Sequence, residues 1–96
     1  MFGTLGRMKV KPGKLGDLLA HLQDPRMAAM PGHRGSYVLV SEEGEEVALA
    51  VMYESRDAYV AMVHDPATEA NYPKLLEHLQ GEPEWTDGEW IAGPVS

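Results

Sequence analysis

The sequence predicts an α+β fold in which a four-stranded antiparallel sheet carries helices on one face, in the chain order βαββαβ. Four strand-like runs recur along the chain, and the second and third are separated only by a short polar turn. Stretches with helical spacing of apolar residues separate the other runs. The length of 96 residues fits one domain, so residues 1–96 are expected to fold as a unit.

The first strand and the first helix follow one another directly. The strand is predicted over Phe2–Val10, where apolar residues at both ends share one face. Pro12 then suits the first turn of a helix, because its missing N–H has no helical partner there. Pro25 is expected to end this helix, and a further turn is expected at residues 27–30. The apolar stripe of the helix consists of Leu15, Leu18, Leu19 and Leu22.

A β-hairpin is predicted from two apolar runs, Ser36–Val40 and Val47–Tyr53, which flank the polar turn at residues 41–46. Both faces of both strands are apolar. An antiparallel sheet with one face in water alternates apolar and polar residues instead. Two helices cover only one face, so a second copy of the chain is expected on the other. The sequence therefore predicts an obligate homodimer packed sheet on sheet.

The region 55–80 is predicted to be helical with two interruptions. Ser55 can cap its start, and Asp65-Pro66 supplies a second cap followed by a first helical residue. Tyr72-Pro73 is the second predicted interruption, because a proline ends the preceding ladder of hydrogen bonds. Gly81 is expected to end the region.

The last strand is expected over residues 85–92, with a bulge at Asp87-Gly88. It completes the order β-α-β-β-α-β. This order is the ferredoxin-like arrangement, in which both helices lie on one face of a four-stranded antiparallel sheet.

Composition excludes several classes of function. A net charge of −7 disfavours a protein that binds nucleic acid, which requires a basic face. The absence of cysteine excludes a thiol nucleophile and a Cys-ligated metal centre. Neither His21 nor His33 has a metal-ligand partner four residues on, so no metal and no cofactor are expected. No apolar run reaches the ~18 residues of a membrane span. The charges near the start follow a short apolar stretch, the reverse of a signal peptide, so a cytoplasmic location is expected.

Turn and packing residues carry a resemblance to a known family. They are the Lys-Pro-Gly-Lys at 11–14, Pro31-Gly32, the run 52–59, Pro83-Glu84-Trp85 and Gly88. In these residues, and over nearly its whole length, the sequence is similar to the dimeric α/β-barrel superfamily, and within it to antibiotic biosynthesis monooxygenase-like domains. The resemblance implies two ferredoxin-like subunits that form a dimeric α/β barrel. It also implies a cavity between the sheet and the helices, where the oxygenase members hold their substrate.

Members of this superfamily differ in activity. Some oxidise polycyclic phenols or quinols with molecular oxygen and without metal or flavin, others degrade haem, and others isomerise lactones. The haem-degrading members resemble one another in an asparagine on the first strand, a tryptophan and a haem-ligating histidine. Here the first strand has no asparagine and residues 55–80 contain no tryptophan, so haem degradation is not expected. The resemblance implies instead a cofactor-independent oxygenase for a phenolic, quinol or polyketide-like small molecule.

The candidate site residues surround the two predicted breaks in the region 55–80. Breaks of this kind leave room between helix and sheet, which favours a pocket there and not in the dimer seam. His64 and Tyr72 are the catalytic candidates, because a neutral imidazole can accept a phenol proton and a tyrosine hydroxyl can orient an aromatic substrate. Tyr59, Met62 and Asn71 are the ligand-binding candidates, since they offer an apolar lining with few polar groups.

Other interpretations of these residues stay open. His64 could be a partly exposed residue beside a helix cap, and the two tyrosines could be core aromatics with their hydroxyls at the edge. His21 is expected on the solvent side of the first helix, and Trp85 and Trp90 are expected in the interface or the core. The alternative function is a non-catalytic dimer that binds or senses an apolar small molecule. A buried ionisable group facing a cavity would favour the enzyme.

Overall fold

A computed structural model describes residues 1–93, so the last three residues of the predicted domain lie outside it. The described chain contains β1 (Phe2–Lys9), α1 (Leu15–Leu22), α2 (Pro25–Ala28), β2 (His33–Val40), β3 (Glu46–Tyr53), α3 (Arg56–Val63), α4 (Pro66–Leu76) and β4 (Glu84–Glu89). The strands form one antiparallel sheet in the order β2-β3-β1-β4. This is the ferredoxin-like arrangement, so the predicted fold class is confirmed.

The hydrophobic core lies between the helices and one face of the sheet. Met8 of β1 pairs with Val47 of β3, and both side chains are buried under the helices. Leu18 of α1 has no exposed surface and closes the core from above. The buried cluster consists of Met8, Val10, Leu18, Val47, Leu75 and Leu79. Leu15 and Leu22 pack against this cluster, so three of the four leucines in the predicted stripe of the first helix have the role that its spacing indicates.

The opposite face of the sheet is apolar over most of β2 and β3 and the middle of β1, and no helix of the described chain covers it. We call it the outer face, and it carries Leu5, Tyr37, Leu39, Ala48, Ala50 and Met52. Charged residues lie at one end of this face: Arg7, Lys9, Glu46 and Glu84. Tyr37 and Leu39 are 73% and 72% exposed, although both side chains are large and hydrophobic. The two apolar faces of the hairpin are thus one buried face and one face that the helices do not reach.

Helices α3 and α4 occupy the region predicted to be helical and broken. The Ser55 Oγ accepts a hydrogen bond from the Ala58 N–H at 3.1 Å and caps α3. Asp65 caps α4 by accepting from the Ala67 N–H at 2.8 Å, and Pro66 is the first residue of that helix. The predicted break at Asp65-Pro66 is confirmed.

The predicted break at Tyr72-Pro73 is wrong, because α4 continues from Pro66 to Leu76 with Pro73 inside it. The missing N–H of Pro73 removes one hydrogen bond, to the carbonyl of Glu69. Glu69 is exposed, so water can bond to this carbonyl instead. Leu75 is buried just beyond the proline, and its packing holds the last turn against the core.

Two element boundaries also differ from the sequence prediction. Pro12 lies in the turn before α1 and not in its first turn, because Gly13 adopts φ = +77°, which is incompatible with a helix. The last strand ends at Glu89, and its pairing with β1 is continuous, so there is no bulge at Asp87-Gly88. Beyond the strand, Trp90 donates from Nε1 to the Val51 carbonyl at 2.9 Å.

Candidate functional site

A cavity of about 750 Å³ lies between the sheet and helices α3 and α4. Strand residues that face the helices form its floor: Thr4, Leu49, Val51, Trp85 and Asp87. Its volume falls within the range of about 300–1,000 Å³ that is usual for small-molecule sites. The cavity occupies the position predicted for a pocket, on the helix side of the sheet and away from the outer face.

All five residues selected from the sequence line this cavity: His64, Tyr72, Tyr59, Met62 and Asn71. Tyr59 and Met62 lie three residues apart on α3, so their side chains share one face of the helix. His64 is the C-cap of α3, and it is exposed at the margin of the cavity. The structure brings these side chains together, and their roles in binding and catalysis stay predictions.

Tyr59 and Asp87 form a hydrogen-bonded pair across one end of the cavity. The Tyr59 Oη donates to Asp87 Oδ1 at 2.8 Å. Burial of the ring and the hydrogen bond to the carboxylate raise the pKa of Tyr59 to about 12. Tyr59 therefore stays protonated at neutral pH, and its hydroxyl holds the carboxylate of Asp87 in one orientation.

Trp85, on the floor of the cavity, contacts Tyr72. Its Nε1–H donates to the Tyr72 Oη at 3.4 Å. Because Tyr72 accepts this bond, its own hydroxyl proton is available to a ligand. The indole lies over Gly6, where a Cβ atom would come within 2.4 Å of the ring. A glycine at this position therefore makes room for Trp85. The tryptophan was expected in the interface or the core, but it lines the cavity and is 39% exposed.

His21 also lines the cavity, although it was expected on the solvent side of α1. Its Nε2 lies 3.0 Å from the Asn71 Nδ2. An amide nitrogen only donates, so Nε2 is the acceptor and the imidazole carries its proton on Nδ1. Burial, followed by the neighbouring His78, lowers the pKa of His21 below its usual value. The imidazole is thus held neutral beside the cavity at neutral pH.

This half-buried imidazole makes stability depend on pH. As the pH falls through 6.5, unfolded chains protonate His21 before folded chains do. The free energy of unfolding should therefore fall between about pH 7 and the lower pKa of the folded state. His21→Gln should reduce this slope, which urea unfolding at a series of pH values measures. A variant that kept the full slope of the wild type would contradict the assignment to His21.

Asp87 and His21 were not selected from the sequence, although the spacing of each from a neighbouring residue indicates that it faces the cavity. Asp87 lies two residues after Trp85 on one strand, so the two share a face, but the predicted bulge hid this relation. His21 lies three residues after the buried Leu18, on the side of α1 that faces the core.

Within residues 1–93, no three histidine, aspartate or glutamate side chains come close enough to share a metal ion. The helices in this described range are also too short or too polar to cross a membrane.

Comparison with known proteins identifies the family. The model of the antibiotic biosynthesis monooxygenase family matches residues 1–73, about three-quarters of the chain. The chain belongs to this family. The antibiotic biosynthesis monooxygenase match extends from β1 into α4, and β4 with Trp85 and Asp87 follows it. No curated protein matches the chain.

Solved structures of similar shape include other proteins of this family. Rv0793 from Mycobacterium tuberculosis is 21% identical with a TM-score of 0.80, over 98% of each chain. A Chloroflexus aurantiacus protein, provisionally named an antibiotic biosynthesis monooxygenase, is 18% identical with a TM-score of 0.78, over 96% of this chain and 94% of its own. A Bordetella bronchiseptica protein with the same provisional name is 18% identical with a TM-score of 0.80, over 95% and 97%. At these identities the similarity shows the fold alone.

Proposed function

We propose that this protein is a homodimeric, cofactor-independent oxygenase that acts on a phenolic or quinol small molecule, including polyketide-like compounds. The observation that carries the proposal is the cavity of about 750 Å³, whose mostly apolar lining includes polar groups on the floor and at the margin. An aromatic ring fits walls of this kind, and the polar groups can orient its hydroxyl. Membership of the antibiotic biosynthesis monooxygenase family supports oxygenase chemistry.

The proposed reaction needs no external reductant. When a phenol becomes a quinone, or a quinol becomes a hydroxyquinone, with molecular oxygen, one oxygen atom joins a ring carbon and the other leaves as water. All four electrons come from the substrate. The protein must then orient the substrate and assist loss of its hydroxyl proton, because the resulting anion gives up electrons more readily. We assign proton acceptance to His64 and orientation to Tyr72, whose hydroxyl proton is left available by the Trp85 contact.

The homodimer is supported by the outer face. Its large apolar side chains, Tyr37 and Leu39, lie more than two-thirds exposed on the single chain. Contiguous apolar surfaces of this kind mark interaction sites. In a two-fold dimer the outer face of a second copy would pack against it, so the apolar side chains of both copies would be buried.

The oxygenase proposal predicts a loss of turnover without a loss of fold. His64→Ala and Tyr72→Phe should each lower oxygen consumption with 1,4-naphthohydroquinone, by about a hundredfold for the proton acceptor. The melting temperature should change little, since His64 is exposed and Tyr72 loses only one long hydrogen bond. An oxygen electrode measures the rate after the rate without protein is subtracted. Tyr37→Phe, which removes a hydroxyl from the outer face, is the matched control and should keep its activity.

The outcomes separate the two candidate functions. Normal turnover in both variants would contradict the assigned roles of His64 and Tyr72. A wild-type protein that binds phenols but consumes no oxygen with any of them would favour the non-catalytic binding dimer.

A further inference from the structure

We propose that Asp87, held by Tyr59, selects ligands that present a hydroxyl donor to this end of the cavity. The inference rests on the proposed function and deepens it, because it states which form of an aromatic substrate the site accepts. A phenol or hydroquinone carries the required donor, whereas the corresponding quinone carries only acceptors.

The pair joins two elements on opposite sides of the cavity. Tyr59 lies on α3 and is 7% exposed, and Asp87 lies on β4 at the floor. Backbone pairing fixes Asp87 opposite Thr4, a buried residue of β1. The Thr4 hydroxyl donates to the Thr86 carbonyl at 3.2 Å and ties the same segment of β4 to β1. The carboxylate is therefore positioned by a strand below it and by a phenol above it.

The chemistry of the pair determines what can face it. A carboxylate accepts hydrogen bonds and cannot donate, and Oδ1 already accepts from Tyr59. Asp87 as a residue is exposed and lines the cavity, so Oδ2 is the atom left for a ligand. A ring hydroxyl meets this requirement. A carbonyl oxygen does not, because it would place two hydrogen-bond acceptors next to each other with no proton between them.

The same preference bears on turnover. A substrate hydroxyl would donate to Asp87 on entry, and the quinone oxygen that it becomes would have no proton to donate. The contact would therefore be present with the substrate and absent with the product, which favours product release.

Asp87→Asn tests the inference, because it changes the chemistry of one atom and preserves the shape. The amide oxygen can still accept from Tyr59, and the amide nitrogen then presents a donor to the cavity. The probes are 1-naphthol, which donates, and 1,4-naphthoquinone, which only accepts. The chain has no cysteine thiol to add to the quinone. We expect the wild type to bind 1-naphthol about tenfold more tightly than 1,4-naphthoquinone, and the variant to reverse this order.

Isothermal titration calorimetry measures both dissociation constants. The matched control is Asp57→Asn, an exposed residue in the first turn of α3 outside the cavity lining, and it should keep the wild-type preference. An unchanged preference in Asp87→Asn, or a wild type that binds neither probe, would overturn the inference. Oxygen consumption by the wild type tests the proposed function separately. A protein that consumes oxygen but shows no preference for 1-naphthol would contradict the role of Asp87 and leave the oxygenase proposal standing.

Discussion

Ala50→Asp should convert the dimer into folded monomers. Ala50 lies in the middle of the outer face, paired with Leu5 on one side and Tyr37 on the other. In a sheet-on-sheet dimer the new carboxylate would be buried without a partner, which costs about 3–5 kcal/mol. In the separated subunit the same carboxylate faces water. Light scattering at micromolar concentration should give twice 10.6 kDa for the wild type and 10.6 kDa for the variant.

Val38→Asp is the matched variant on the opposite face of the same hairpin. Val38 packs against the buried core under the helices, so this carboxylate should destabilise the subunit itself. Thermal unfolding should therefore separate the two variants, with a folded Ala50→Asp and a largely unfolded Val38→Asp. A monomeric wild type would contradict the dimer, and a dimeric Ala50→Asp would contradict the use of the outer face.

Gly6→Val should destabilise the fold and close the site together. The added Cβ would lie 2.4 Å from the indole of Trp85, so the ring must move. Gly6 is paired with β3 on one side and β4 on the other, so the strand itself cannot shift easily. Overpacking of this kind costs about 1–3 kcal/mol. The displaced indole should also lose its bond to Tyr72 and weaken the binding of 1-naphthol, which urea unfolding and calorimetry measure.

A double variant identifies the cause of this effect. When Trp85→Ala removes the ring, Gly6→Val should add little further loss of stability, because the clash has gone. Equal effects of Gly6→Val in the presence and absence of the indole would contradict the steric explanation.

Much of the fold could be predicted from short-range patterns. The continuous apolar run of residues 47–53 and the spacing of Leu15, Leu18 and Leu22 identified a strand and a helix that the structure confirms. Asp65-Pro66 marked a true helix start, because a cap and an N-terminal proline act on the first turn alone. The helix break predicted at Pro73 was wrong, since packing of the buried Leu75 outweighs the loss of one hydrogen bond in α4.

The sequence by itself determined the order of elements and the two apolar faces of the hairpin. It also indicated five of the residues that line the cavity. These depend on interactions between residues that are near one another in the chain, within a strand, a turn or a few turns of helix. Only the tertiary structure decided that Asp87 meets Tyr59, that Trp85 lies over Gly6 and that His21 faces Asn71. The physical reason is that 28 residues separate the first pair and 50 the last, and such contacts exist only once β4 has paired with β1 and the helices have packed above them.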